Sequence, residues 1–559
     1  MLKNRFMTLE GFLERWGQGW RGPALAAMVA FVAGLPGLLA MPPLDRDESR
    51  FAQATAQMLE SGDFVVIRFQ DGPRFKKPVG IHWLQAASVR AASDPAAREI
   101  WAYRLPSLLG AMLAAAACAW GARPFFGGRA ALAAGAILGA SLLLSTEAFI
   151  AKTDAVLCGT TTLALAALGR IYAARDGPGE ARLSRLMFWL GLSLAILVKG
   201  PVAPLVVALT VLALCVWDRR AGWVRNLGWG WGLILLAAIC GPWAGAVTVA
   251  TDGAFWSTAI GGDLAPKLAG GQETHGAPPG YHTLLAPLLM FPGTLLLPAA
   301  LALAWRRRGD PGVRFAICWL VPTWLVFELM PTKLVHYPLP MYGALAWLAG
   351  AAVREPIGRG AKWAGVALSA LAGLALAGVV VYLMASYGDP SDVSAAALTA
   401  GLLAAAGLLG SYMMIRDAPG AALTTALALG VAGHQALSAA FAPRLEPLWL
   451  SQRVERTMAL ATLLPRQGMA SAPVAVAGYA EPSLVFALGT PTELGGPDQA
   501  ALAIADDRPA VVEAREDAAF RNRLASLGAA AQVVGEVRGL DYSNGDALTL
   551  RIYAPKETP

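Results

Sequence analysis

Along most of the chain, apolar residues run for about 20 positions before charges interrupt them, the length a helix needs to cross a bilayer. The runs are Pro23–Met41, Leu105–Gly121, Ala130–Ser145, Ala155–Ala173, Leu186–Val198, Pro201–Trp217 and Leu227–Val249. They continue with Leu284–Trp305, Phe315–Met330, Leu339–Val353, Trp363–Ala385, Ala395–Ile415 and Ala421–Phe441. About thirteen spans of a polytopic α-helical membrane protein are therefore expected. Two stretches break this rhythm. Residues 42–103 form a polar first loop. Within it Phe51, Ala54, Thr55, Met58 and Leu59 follow Glu48 at helical spacing, which predicts an amphipathic surface helix ended by Ser61-Gly62. The other is the tail, residues 443–559, where apolar runs shrink to strand length (Pro473–Ala477, Pro509–Val512, Gln532–Val537, Leu548–Tyr553) around a helix-like Asp517–Leu527. Asn544-Gly545 between two of them is a hairpin signal. A transmembrane unit over residues 1–442 and a small α/β domain over 443–559 are expected.

Charge sets the direction of threading. Arg123 and Arg129, the group Arg170, Arg175, Arg182 and Arg185, and the group Arg219, Arg220 and Arg225 occupy alternate loops. Arg306, Arg307, Arg308 and Arg314, then Arg354, Arg359 and Lys362, then Arg416 continue the series. The intervening short loops hold the isolated lysines Lys152, Lys199, Lys267 and Lys333. Basic loops stay inside, so the N-terminus is expected in the cytoplasm and the tail outside. Lys3, Arg5, Arg15 and Arg21 precede the first run and no convincing A-x-A cleavage site precedes Pro42, which favours an uncleaved span over a signal peptide.

Composition agrees. Of 559 residues 56% are hydrophobic and 15% charged, against about a quarter charged in soluble domains. The net charge of +7 reads as topology signal, with no nucleic-acid partner. Cys118, Cys158, Cys215, Cys240 and Cys318 lie in or at apolar runs without a CxxC pair. They read as packing residues, with neither disulfides nor a metal site. No cofactor is required by the sequence, and a divalent cation stays open.

Ionisable residues at the mouths of spans are the natural candidates for chemistry. Asp45, Asp47 and Glu48 fall within four residues just after the first run. Asp47 reads either as a helix cap or as a rigid, ionised base or positioning group at a helix start; the two are compatible. Lys76-Lys77-Pro78, before His82-Trp83, reads as a lipid-headgroup anchor or as a cation for a phosphate leaving group. Lys152-Thr-Asp154 is a local salt bridge or a second acid of the same site. Pro331–Pro340 breaks two helices and brings Lys333, His336 and Tyr337 to the outer face, as an ordinary turn or as the lining of a cavity. Lys267 and His275 read as surface residues or as members of that cavity.

Taken together these segments resemble the GT-C glycosyltransferases, in particular the aminoarabinose transferases and related bacterial protein-mannosyltransferase-like enzymes. The resemblance is carried by Asp47-Glu48-Ser49-Arg50-Phe51-Ala52 (family D-E-x-R-[YF]-A), Met58–Asp63, Phe75-Lys76-Lys77-Pro78, Thr332–Leu334 with Tyr337–Pro340, and Gly539–Gly545. It covers nearly the whole length. It implies a GT-C-like helical membrane domain and transfer of a sugar from a polyprenyl-phosphate donor to a lipid (lipid A-like), glycan or protein acceptor at the periplasmic face of the inner membrane. It implies Asp47, with Glu48 and Asp154, as the acids of the site, and Lys77, Lys267 and Tyr337 around the donor phosphate. Asp45, Arg50, His82, His275, Lys333 and His336 are expected to line the substrate cavity. Lys267 stands where relatives have arginine. Lys76 stands where many have glutamate, which argues against a metal contact there and against carrying the aminoarabinose substrate over. The competing reading is a transporter or flippase of a lipid-linked anion. Such proteins place charges mid-span in repeated halves, whereas here the charges gather at one face and no repeat is found.

Overall fold

The computed structural model describes residues 16–177, 182–266 and 276–556. Each apolar run named above falls on helical structure. In chain order the main helices are α1 (Arg21–Ala40), α2 (Asp47–Ser61), α3 (Gly80–Ala92), α4 (Ile100–Ala140), α5 (Asp154–Ala173), α6 (Arg182–Lys199), α7 (Val202–Asp218) and α8 (Trp229–Ala250). There follow α9 (Tyr281–Leu289), α10 (Leu297–Arg306), α11 (Pro311–Leu329), α12 (Tyr342–Ala352), α13 (Arg359–Tyr387), α14 (Val393–Ile415) and α15 (Pro419–Gln435). Among the described residues eight helices are long and apolar enough to cross a bilayer. The number becomes nine if the pair Tyr281–Leu289 and Gly293–Arg306, which meet at 115°, is one broken span. The chain is a polytopic helical membrane protein, and the figure of thirteen spans does not follow from this criterion. Two of the runs share α4, which continues through a non-helical Gly127 at φ 77. Two others, on α7 and α12, are short apolar helices.

The amphipathic helix of the first loop forms where its spacing placed it. α2 buries Phe51, Ala54, Thr55 and Met58 as the spacing requires, and also Ser49, Ala52, Gln53 and Ala56, so it is covered on more than its apolar face. It stops at Gly62, whose φ of 73 closes the helix in a left-handed turn. Its start differs from the capping reading. Arg46, not Asp47, occupies the cap position, at φ 58 and without a side-chain cap, so Asp47 is the first helical residue.

What holds α2 is Glu48. Its Oε1 accepts from Arg104 Nε at 2.8 Å and from the Ala151 amide at 2.7 Å; its Oε2 accepts from Arg104 Nη2 and the Leu44 amide, both at 2.8 Å. Arg104, at the start of α4, spends its other donors on the carbonyls of Leu38, Met41 and Pro42. Both side chains are fully buried. One ion pair thus fixes the end of α1, the start of α2, α4 and the approach to α5.

The tail contains helices α16 (Leu450–Leu460), α17 (Pro482–Leu488), α18 (Pro497–Ala505) and α19 (Asp517–Ser526). With a small hairpin in the first loop taken as β1 (Arg68–Phe69) and β2 (Gly72–Pro73), its strands are β3 (Ala475–Ala477), β4 (Glu493–Gly495), β5 (Ala510–Glu513), β6 (Ala530–Asp541) and β7 (Asp546–Lys556). They form one sheet in the order β4-β3-β5-β7-β6. The β3 pairings are parallel and the β5–β7 and β6–β7 pairings antiparallel. The period of two sends Val476, Val511, Leu550 and Ile552 to a core with α16 and α17. It sends Ala475, Ala477, Ala510, Val512 and Tyr553 to a second core with α18 and α19. Asn544-Gly545 lies in the β6–β7 turn, with Gly545 at φ 89.

α17 packs on α2. Arg98 bridges them, donating to Gln53 at 2.8 Å, the Phe486 carbonyl at 2.9 Å, Thr490 at 2.9 Å and Glu60 at 2.5 Å. Gln70 reaches the carbonyls of Thr490 and Thr492 at 3.2 and 2.5 Å. The first loop and the tail therefore share one side of the helical part.

Removing one partner of a buried pair leaves an uncompensated charge and costs about 3–5 kcal/mol. Arg104→Met is expected to lower the thermal unfolding midpoint in detergent sharply, as is Glu48→Gln. The double variant is expected to lose less than the two single losses combined.

Candidate functional site

The turn after α2 leads through β1–β2 to Arg74, Lys76 and Lys77, and Pro78 then admits α3. Lys77 opens onto a cavity of about 380 Å³ that Asp154, Lys199, Asp263, His336 and Tyr337 also line. Its walls are apolar, with Phe255, Trp256, Phe327 and Leu157 among them. Five separate elements supply the polar groups, Asp263 coming from the turn Ser257–Leu264. Lys77 comes from the first loop, Asp154 from the first turn of α5, Lys199 from the end of α6, and His336 and Tyr337 from the turn before α12.

These groups are linked. Asp154 Oδ1 accepts from Lys199 Nζ at 2.5 Å, and Asp154 Oδ2 lies 3.6 Å from Lys152 Nζ. Lys152 also reaches Glu147 Oε1 at 3.0 Å and His336 Nδ1 at 3.5 Å. Although burial works against its charge, Glu147 and Asp154 raise the Lys152 ammonium above its ordinary value. His336 Nε2 is 3.6 Å from Asp154 Oδ1, yet burial holds the imidazole well below its usual value, against the pull of Asp154. Lys199 Nζ sits 6.0 Å from the centre of the Tyr337 ring, within cation–π range. Lys77 Nζ is 3.0 Å from Asp263 Oδ2.

Asp47 is exposed in the first turn of α2 and is not among the residues that line the cavity. Arg74 connects it to the interior. Burial pushes the Arg74 guanidinium down to about 10, while Asp47 and Asp263, the partner of Lys77, both pull it up. Lys152 also feels Asp47. Arg50 is half-buried beside Arg74.

Other expected members of the site lie elsewhere. Glu48 has each oxygen occupied by two donors, as described above, and is committed to holding the loop. His82 is buried; its Nδ1 is 2.8 Å from Thr55 Oγ1 and its ring stacks on Phe51. Burial, aided by Arg74, pushes it down to about 3, so it packs as a neutral ring. Lys333 is buried and donates to the Met330 carbonyl at 2.6 Å, capping α11. Asp45 faces the tail: its amide donates to Tyr542 Oη at 2.7 Å and its carboxylate accepts from Ser483 Oγ. Lys267 and His275 lie outside the described residues. Conversely, Lys199, Asp263, Glu147 and Arg74 belong to the constellation without having been singled out. The isolated lysine of an outer loop was the one sequence signal for Lys199. Among the described residues no group of three or more His, Cys, Asp or Glu side chains is arranged to hold a metal ion.

Comparison with known proteins places these features in context. Residues 76–244 match the family described as dolichyl-phosphate-mannose-protein mannosyltransferase. The undecaprenyl phosphate-alpha-4-amino-4-deoxy-L-arabinose arabinosyl transferase of Pseudomonas paraeruginosa (strain DSM 24068 / PA7) is 31% identical over 377 residues, 65% of this chain and 66% of that protein. The protein of the same name from Aeromonas salmonicida (strain A449) is 27% identical over 383 residues, 66% of this chain and 68% of that one. The aligned stretch thus spans just under two thirds of the first relative's length. Among solved structures, ArnT from Cupriavidus metallidurans in the apo state superposes with a TM-score of 0.74 at 21% identity, over 95% of this chain and 97% of that one. The same protein bound to undecaprenyl phosphate gives 0.74 at 20% identity, with the same coverage. These structural likenesses establish the fold.

The Asp45 contact gives tail docking a pH dependence. Burial, reinforced by Glu481 and Asp541, raises the Asp45 carboxyl from 3.8 to about 7, against the hydrogen bond from Ser483. Arg46, 3.7 Å from Glu481, and Tyr542 complete the surroundings. A raised acid favours the docked state while protonated, so the contribution is full below the unfolded value and is lost as pH rises towards 7. Protection of the amides of residues 482–488, taken as exchange relative to the intrinsic rate at the same pH, is expected to be greater at about pH 5 than at about pH 8. Asp45→Asn is expected to remove the difference.

Proposed function

We propose that this chain is an ArnT-like GT-C glycosyltransferase that transfers a sugar from a polyprenyl-phosphate donor to an acceptor at the outer face of the inner membrane, a reading that its relatives and its fold support. The observation that carries the reading is one apolar-walled cavity holding Lys77, Asp154, Lys199, His336 and Tyr337. Such a cavity suits an isoprenoid chain ending in a phosphate. In this reading residues 1–442 are the catalytic membrane unit, residues 443–559 are a periplasmic domain, and the N-terminus is cytoplasmic. In this reading the acceptor is a membrane lipid of the lipid A class, and the donor is of the undecaprenyl-phosphate kind that the relatives' name gives.

The chemistry follows from charge. The donor's anomeric carbon is bonded to a phosphate oxygen. As that bond breaks, the electron pair leaves with the phosphate, and Lys77 neutralises the growing charge. Lys199, held by Asp154 and facing Tyr337, is a further cation at the cavity, which Lys76 also lines. Asp154 orients that ammonium and leaves proton abstraction to Asp47. Where the acceptor is a hydroxyl, Asp47 takes its proton. Where it is a phosphate, no base is needed and Asp47 positions it. The enclosed cavity aligns the two partners for in-line displacement.

Reconstitution with a polyprenyl-phosphate sugar tests this directly. A transferase releases polyprenyl phosphate in step with product; a flippase relocates the intact donor, and that outcome would end the proposal. Lys77→Met is expected to lower kcat/KM about 10²–10³-fold, as loss of a charge-stabilising group does. Asp47→Asn is expected to lower it at least about 10²-fold with a hydroxyl acceptor, with membrane insertion and thermal midpoint unchanged. Wild-type turnover by Asp47→Asn would remove Asp47 from the chemistry.

A further inference from the structure

The ammonium assigned to the donor phosphate already has an anion. Lys77 Nζ and Asp263 Oδ2 are 3.0 Å apart, and the carboxylate side chain is 8% exposed. The acid lies 186 residues downstream, on the π-helical turn Ser257–Leu264, and it lines the same cavity as Lys77.

The pair is held from outside itself. Phe255, just before the turn, is buried edge-on against Phe75, two residues before Lys77, with ring centres 5.6 Å apart. Trp243 packs on Phe255 at 5.1 Å and donates its indole N–H to the Val65 carbonyl at 3.1 Å. An aromatic cluster of α8, the first loop and the turn therefore fixes both segments. The carboxylate meets the ammonium by construction of the site, unlike the mobile contacts of surface pairs.

We propose that Asp263 is the resident counter-anion of the donor site. It holds Lys77 when no phosphate is bound and competes with the phosphate when one arrives. This rests on the transferase reading above. A sugar-bearing polyprenyl phosphate is a diester with one negative charge. The polyprenyl phosphate left after transfer is a monoester with about two at neutral pH, like other phosphate monoesters. Repulsion from Asp263 is thus larger for the product than for the donor. The residue weakens both complexes and weakens the product complex more, so it favours exchange of spent carrier for fresh donor. Asp263 is a positioning and specificity residue, since it acts through Lys77.

The test is binding of undecaprenyl phosphate to the full-length protein in detergent, alongside steady-state kinetics with the sugar-bearing donor. Asp263→Asn keeps the shape and removes the charge. It is expected to bind undecaprenyl phosphate about tenfold more tightly than wild type, to lower the donor KM, and to lower kcat as carrier release slows. Asp263→Glu is expected to restore both parameters, and Asp263→Ala to repeat the tightening should the amide variant fold poorly. Equal or weaker binding by the neutral variants at an unchanged thermal midpoint would overturn the counter-anion role while leaving the transferase reading intact. Absence of any binding by wild type would overturn both.

Discussion

The buried pair of Glu48 and Arg104 is the constraint from which the rest of the site is built. A carboxylate and a guanidinium removed from water are tolerable only when every donor and acceptor is met, and here four donors converge on the carboxylate. Because those donors come from Leu44, Arg104 and Ala151, satisfying one acid fixes three segments at once. Asp47 follows Arg46 on one side of it. Asp154 follows Ala151 three residues on. The relative placement of Asp47 and the cavity acid is set by a residue that need not touch substrate.

Much of the fold was legible because hydrophobic periodicity is written locally. The helical runs, the face of α2 around Phe51 and Met58, the strands of the tail and the Asn544-Gly545 turn all depend on neighbours a few residues away. What was not legible depends on distant chain or on backbone geometry. The start of α2 is set by Glu48 reaching back to Leu44 and by Arg46 at positive φ, so the nominal cap residue Asp47 is displaced into the helix. The strand β4, only three residues long, exists because β3 offers it an edge, and its sequence carries no alternation long enough to notice. The 115° break after α9 divides an apolar run that looks continuous.

The site divides in the same way. Lys77, Asp154, His336 and Tyr337 stand in short segments whose order along the chain is itself informative, and the structure gathers them at one cavity. Lys199 and Asp263 meet their partners across 45 and 186 residues, and no local pattern encodes such a meeting. The reverse error has a physical cause as well. His82, Lys333, Asp45 and Glu48 have the chemistry of functional groups, but their hydrogen-bonding capacity is drawn to Thr55, the Met330 carbonyl, the tail and Arg104. A polar residue near a site is as often part of its scaffold, because buried polar atoms need partners.

The manner in which the tail grips the first loop has a consequence for divergence. Arg98 and Gln70 take hold of it largely through the main-chain carbonyls of Val485, Phe486, Thr490 and Thr492. Recognition of peptide oxygens is blind to what side chains those positions carry. Contacts of that kind constrain the path of the backbone over α2, whereas Ser483, Phe486, Thr490 and Tyr542 are tied by their side chains to Asp45, Tyr103 and Arg98 and are not free to drift.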